Sequence, residues 1–220
     1  MKFRFTKIAL AALAFCFVLL SFGQQNPEES KIVTLTIDKA SFDENELLQV
    51  LDDNNQIVAL YDRFNNKSSN VKSLKIFDTD ENLIYTLVPL TNRDNFEIHI
   101  QNSNKERGLI NLRPRFSGMS VKIDSSVDFF NLPYDYEYKA KVGFGSVETN
   151  ELVYFNGQQV ISFDTRGSVF KGISITPFDI DSEYYRTHPF DAVCWIFIME
   201  LFDELQQEAN RNRRTTRSNN

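Results

Sequence analysis

The chain has 220 residues, 42% hydrophobic and 25% charged, the balance of a folded domain and not of a disordered one. Its 24 basic and 30 acidic residues give a net charge of −6. Without Lys2, Arg4 and Lys7, which belong to a leader, the count is 21 against 30, or −9. Without Arg211, Arg213, Arg214 and Arg217 as well, it is 17 against 30, or −13. Such a body repels nucleic acid and anionic lipid at long range, which excludes nucleic-acid binding and leaves membrane-surface lipid contact without support from charge.

The leader is read from a basic start, an apolar run from Ile8 to Leu20, and small residues at Ser21 and Gly23. This is the pattern of a secretory signal peptide over residues 1–23, cleaved before Gln24, with 24–30 as a linker. The apolar run is short for a membrane-spanning helix. Cleavage removes Cys16 and leaves Cys194 alone, so no intrachain disulfide forms and the core must hold the domain. The expected destination is secreted or periplasmic.

From Lys31 to Ile175 the chain alternates short β-like runs with turn chemistry. "IVTLTID" has the two-residue period of a half-buried strand. "LLQVLDDNNQIVALYD" is two runs joined at Asp52 to Asn55, and "SLKIFDTDENLIYTLVPL" repeats the design with a bend at Asp78 to Asn82. "FEIHI", "LINLRPRF", "MSVKID" and "YDYEYKAKVGFG" follow. In "LVYFNGQQVISF" the pair Asn156-Gly157 marks a type I′ hairpin, because both residues tolerate positive φ. "SVFKGISI" closes a series of about eleven or twelve strands, enough for an antiparallel sheet to curl into a sandwich or barrel.

The pattern then changes. Thr187 is a candidate helix cap, Pro189 suits a first turn, and Asp191 places negative charge at the positive end of the dipole. A helix is expected to Ala209, with a disordered basic tail over 210–220. Ala192 to Met199 is apolar in every direction, so Val193, Trp195, Ile196, Phe197, Ile198 and Met199 must be buried all round. Beyond them, Leu201, Phe202, Leu205 and Ala209 keep a one-sided stripe. A closed barrel of about twelve strands has a lumen wide enough for a helix ~10 Å across. The expected fold is therefore mainly β: a closed antiparallel barrel over 31–209 around a buried C-terminal helix. The alternative is a helix clamped between a sheet and a partner subunit.

This plan resembles the tubby C-terminal-like superfamily, which includes the phospholipid scramblases and LURP-one-related proteins. The likeness rests on two stretches. "VLDDNNQIVALYDRFNNKSSNVKSLKIFDTDENLIYTL" looks like the family's opening hairpins, and "ISITPFDIDSEYYRTHPFDAVCWIFIMELFDEL" is similar to the scramblase ending. The resemblance implies a twelve-stranded barrel skewered by its last helix. It also implies acidic calcium ligands before that helix, at Asp179, Asp181 and Glu183. Tubby proteins bind phosphoinositide head groups through Lys and Arg on the barrel surface; here Arg63, Lys67, Lys72, Lys75, Arg113 and Arg115 are scattered basic residues that do not align to that site.

Catalytic chemistry is not marked. Asp78 to Asn82 starts like an EF-hand loop but has Leu83 and Pro89 where Gly and Glu belong. His99 and His188 have no metal-ligand spacing. Cys194 sits inside the buried run as an inert thiol. Asp128 and Asp135 flank "FFNLPY" with nothing to tune them. The expectation is a non-enzymatic exported barrel, without cofactor, binding a protein or cell-envelope component. The competing readings are a lipocalin-like carrier of a small apolar ligand and a hydrolase with an unmarked site.

Overall fold

The computed structural model describes residues 32–37, 47–65, 70–92, 95–117, 120–142, 146–168, 172–175 and 178–218. The expected signal peptide and linker lie outside the described residues. The strands are β1 (Ile32–Ile37), β2 (Leu48–Leu51), β3 (Ile57–Phe64), β4 (Ser73–Phe77), β5 (Leu83–Asn92), β6 (Asn95–Asn102) and β7 (Arg107–Ser117). They continue with β8 (Ser120–Asp128), β9 (Tyr134–Val142), β10 (Ser146–Phe155), β11 (Gln158–Ser168), β12 (Gly172–Ile175) and β13 (Phe178–Asp181). Two helices follow, α1 (Ser182–Thr187) and α2 (Pro189–Ser218).

From β1 to β11 each strand pairs antiparallel with the next. β13 then pairs with β1 on one side and β11 on the other, which closes the ring. β12 pairs farther along the same edge of β11, as Thr165↔Ile175 beside Ile161↔Ile180. The two short strands thus share one place in the wall, and the barrel has twelve staves. An up-and-down meander can close antiparallel only with an even number of staves, and closure removes every free edge. β13, "FDID", and α1 carry Asp179, Asp181 and Glu183.

Side chains alternate across the wall. Phe96, Ile98 and Ile100 of β6 point inward, as do Tyr134, Tyr136 and Tyr138 of β9. The lumen they line is filled by α2. Every residue from Ala192 to Met199 is at most 1% exposed. Trp195 packs against Phe129, Tyr134 and Tyr136 at 5.6, 5.5 and 6.1 Å between ring centroids, and Phe197 against Tyr61 at 4.8 Å. Phe202 meets Phe96 at 5.7 Å and Tyr138 at 5.4 Å. The chain's own strands supply the wall, as the apolar run requires.

The tyrosines of β9 follow the helix. Tyr134 to Tyr138 spans ~13 Å of strand, and Trp195 to Phe202 spans ~10 Å of helix. Strands tilted by roughly 40° in a barrel project the first length onto the second. One strand therefore contacts two turns of the plug in register.

Thr187 does not cap α2. It ends α1, where its hydroxyl lies 3.1 Å from the Glu183 carbonyl and 3.0 Å from that of Tyr184. The His188 carbonyl accepts from the Ala192 N–H at 3.1 Å, so α2 opens one residue later than the sequence suggests. α2 also passes Ala209 and runs to Ser218, so residues 210–218 are helical and not the disordered tail expected. Among the described residues no helix is long and apolar enough to cross a membrane.

Candidate interaction surface

The meander gives the barrel two unlike ends. At one end lie the turns β2–β3, β4–β5, β6–β7, β8–β9 and β10–β11, together with α1 and the entry of α2. Three of these turns are copies of one another. Asp52 Oδ1 accepts from Gln56 N at 2.8 Å, Asp78 Oδ1 from Asn82 N at 2.8 Å, and Asn102 Oδ1 from Glu106 N at 3.0 Å. The fourth residue of each loop, Asn55, Glu81 or Lys105, has positive φ. The repeat read from two hairpins thus has a third copy, with Asn102 in place of Asp. Asn156 and Gly157 have φ of 53° and 77°, the type I′ geometry expected.

α2 is seated at this end by tyrosines. Tyr85 donates to Asp191 Oδ1 at 2.5 Å, Tyr134 donates to Oδ2 at 3.0 Å, and the Tyr134 and Tyr184 hydroxyls lie 2.9 Å apart. Burial pushes the Tyr85 hydroxyl far up, aided by Cys194 and Asp191, and does the same to Tyr134 beside Tyr184 and Asp191. Both phenols therefore stay neutral donors, and their two hydrogen bonds fix the Asp191 carboxyl at the start of α2. Phe130 has φ of 57°, unusual for a bulky residue. Its ring stacks on Tyr85 at 6.0 Å and covers Gly108, where a Cβ would meet the Asp128 carbonyl at 2.8 Å.

The same end exposes apolar surface. The large hydrophobic residues exposed among those described are Ile32, Ile57, Leu83 and Leu132, and all four lie there. Ile57 and Leu83 occupy the same position after two copies of the repeated loop. Exposed carboxylates surround them at Asp53, Asp80, Glu81, Glu106, Asp128 and Glu183. A cavity of about 230 Å³ opens between the β10–β11 turn and α1, lined by Phe155, Asn156, Gln158, Val160, Asp181, Glu183, Tyr184, Thr187 and His188.

At the opposite end Arg63 of β3 turns to the emerging helix. It bonds Glu200 at 2.8 Å and also pairs with Glu204. Burial lowers the Arg63 pKa, but the hydrogen bond and charge of Glu204, with Glu200, more than offset that and raise it. Asn70 N donates to Glu208 at 3.2 Å.

The residues singled out from sequence take other places. Asp179 is exposed on β13, Asp181 caps α1 by accepting from Tyr184 N at 2.9 Å, and Glu183 is exposed in the first turn of α1. Among the described residues no group of three or more His, Cys, Asp or Glu is placed to hold a metal ion, so this trio does not form the expected calcium ligand set. Of the basic residues, Arg63 holds the helix, Arg115 pairs with Asp124, and Lys75 sits over the Phe64 ring at 5.3 Å. Lys72 and Arg113 are exposed, and Lys67 lies outside the described residues. His99 is exposed beside Glu97, and Asp128 accepts from Asn131 N in the β8–β9 turn. Cys194 is a buried free thiol whose pKa burial raises, with Asp191 adding to the effect.

Glu151 was not anticipated. It is 0% exposed, faces the lumen from β10, accepts from the Tyr136 hydroxyl at 2.5 Å, and leaves Oε1 without a hydrogen bond. Burial, then the nearby charge of Asp203 on α2, pushes its carboxyl well above the ordinary range, against the lowering effect of Tyr136. Its signal was parity: Glu151 shares the inward face of β10 with Val153.

These features define a closed twelve-stranded β-barrel plugged by its own last helix, with one apolar and acidic rim. No family model, curated protein or solved structure matches the chain.

Proposed function

We propose that the chain is a non-catalytic, exported binding module that meets a protein of the cell envelope or exterior with the hairpin end of its barrel. One observation carries the reading: the large hydrophobic residues exposed among those described, Ile32, Ile57, Leu83 and Leu132, all stand on that end of the barrel. Exposed apolar side chains confined to one end of a barrel give that end surface to bury against a partner. The lipocalin-like reading loses its cavity, because α2 fills the lumen with Trp195, Phe197 and Phe202. The barrel with an internal helix also supports a tubby- or scramblase-like kinship.

The test places a photo-crosslinking amino acid at Leu83 or Leu132 and, as a control, at Lys122, exposed on the wall strand β8. In the cell that makes the protein, discrete adducts should form from the two rim positions and not from Lys122. Equal labelling from all three positions, or none from the rim, removes the proposal.

A further inference from the structure

We propose that the cavity between the β10–β11 turn and α1 receives the charged tip of a lysine or arginine side chain, so the rim's partner is a basic protein segment. This rests on the binding-module reading and names the chemistry of its partner. The lining joins three rings to two carboxylates. Phe155 lies 4.9 Å from His188 and 5.9 Å from Tyr184, and Tyr184 stacks on His188 at 5.3 Å. Asp181 and Glu183 stand beside these rings, and no lysine or arginine is among the lining residues. Aromatic surface with carboxylate oxygens suits an organic cation, which gains from the ring electrons and the negative charge together.

Acceptor capacity remains. Asp181 uses Oδ1 for Tyr184 N, but a carboxylate has about four lone-pair sites. The side chains of Asn156 and Gln158 add amide oxygens. The Thr187 hydroxyl lies 2.8 Å from His188 Nδ1 and holds the ring in place at the cavity wall. A volume of about 230 Å³ holds roughly seven waters and is ample for a guanidinium or ammonium group.

The surroundings favour the same occupant. Exposed Asp53, Asp80, Glu81, Glu106 and Asp128 outnumber the cations Lys105, Arg107 and Arg186 at this end, so the field draws a basic segment toward it. Ile32, paired directly with Asp181, offers apolar contact beside the cavity for the segment's neighbouring side chains.

The experiment titrates the isotope-labelled chain with N-acetyl-arginine amide, N-acetyl-lysine amide and the neutral isostere N-acetyl-citrulline amide. Saturable shifts are expected at the Gln158 and His188 amides, with arginine and lysine bound at least about fivefold more tightly than citrulline. Glu183→Gln should weaken the cations about threefold and leave citrulline unchanged. Phe155→Leu should weaken them about two- to fivefold. Equal affinity for citrulline, shifts that do not saturate, or inorganic phosphate binding in place of the cations overturns the assignment. If the cation fails while rim crosslinks persist, the cavity assignment alone falls. If crosslinks vanish as well, the binding-module reading falls with it.

Discussion

Two residues show how single side chains set this barrel's tolerances. Glu151 lies wholly in the lumen with a raised pKa, against 4.5 for an unperturbed group. A group whose folded pKa is raised contributes stability that is complete below its unfolded pKa and is lost as pH climbs toward the folded one. Thermal melts of the wild type should therefore fall relative to Glu151→Gln as pH rises from about 4.5 to 8, by at least ~2 °C. A constant gap between the two proteins over that window would refute the linkage. Gly108 makes the second prediction. Glycine there lets the Asp128 carbonyl approach, and Gly108→Ala should cost about 1–3 kcal/mol in urea unfolding because backbone must move.

Among the elements, α2 was the most legible in the sequence. Eight consecutive apolar residues leave no polar direction, so burial on all sides followed from the run itself. Its limits were less clear, because Thr187 has a capping chemistry that serves the end of α1 as well as the start of another helix. β13 was missed for a related reason: Asp179 and Asp181 point to the outside of the wall, and in four residues only Phe178 and Ile180 signal a strand. The rim was legible only in pieces. The repeated loops could be seen in two copies, but only closure of the ring brings Ile32, Ile57, Leu83 and Leu132 to one end. At this scale Arg63→Ala should destabilise the domain by about 1–2 kcal/mol, since it leaves Glu200 and Glu204 side by side at the helix exit. Added salt should shrink that difference between mutant and wild type.

The described residues of the barrel share one core, with wall strands on the outside and a single helix within. Burying Ala192 to Met199 contributes up to ~15 kcal/mol, as much as the net stability of an ordinary domain. Deleting residues from Thr187 onward should thus yield an unfolded, insoluble chain, whereas a carrier with an empty lumen would stay folded and soluble. Solubility and far-ultraviolet circular dichroism of the truncated protein decide between them. The helix that fills the lumen also comes after every strand in the chain. At 5–20 residues per second it leaves the ribosome roughly 8–30 s after β1. Until then the nascent chain has walls and no interior, so the barrel cannot close on its core before Ala192 to Met199 emerge. Ribosome-stalled chains ending before Ala192 should stay open to protease. The late plug sets a clock on maturation: the polypeptide remains threadable until its apolar run emerges, and locks only then.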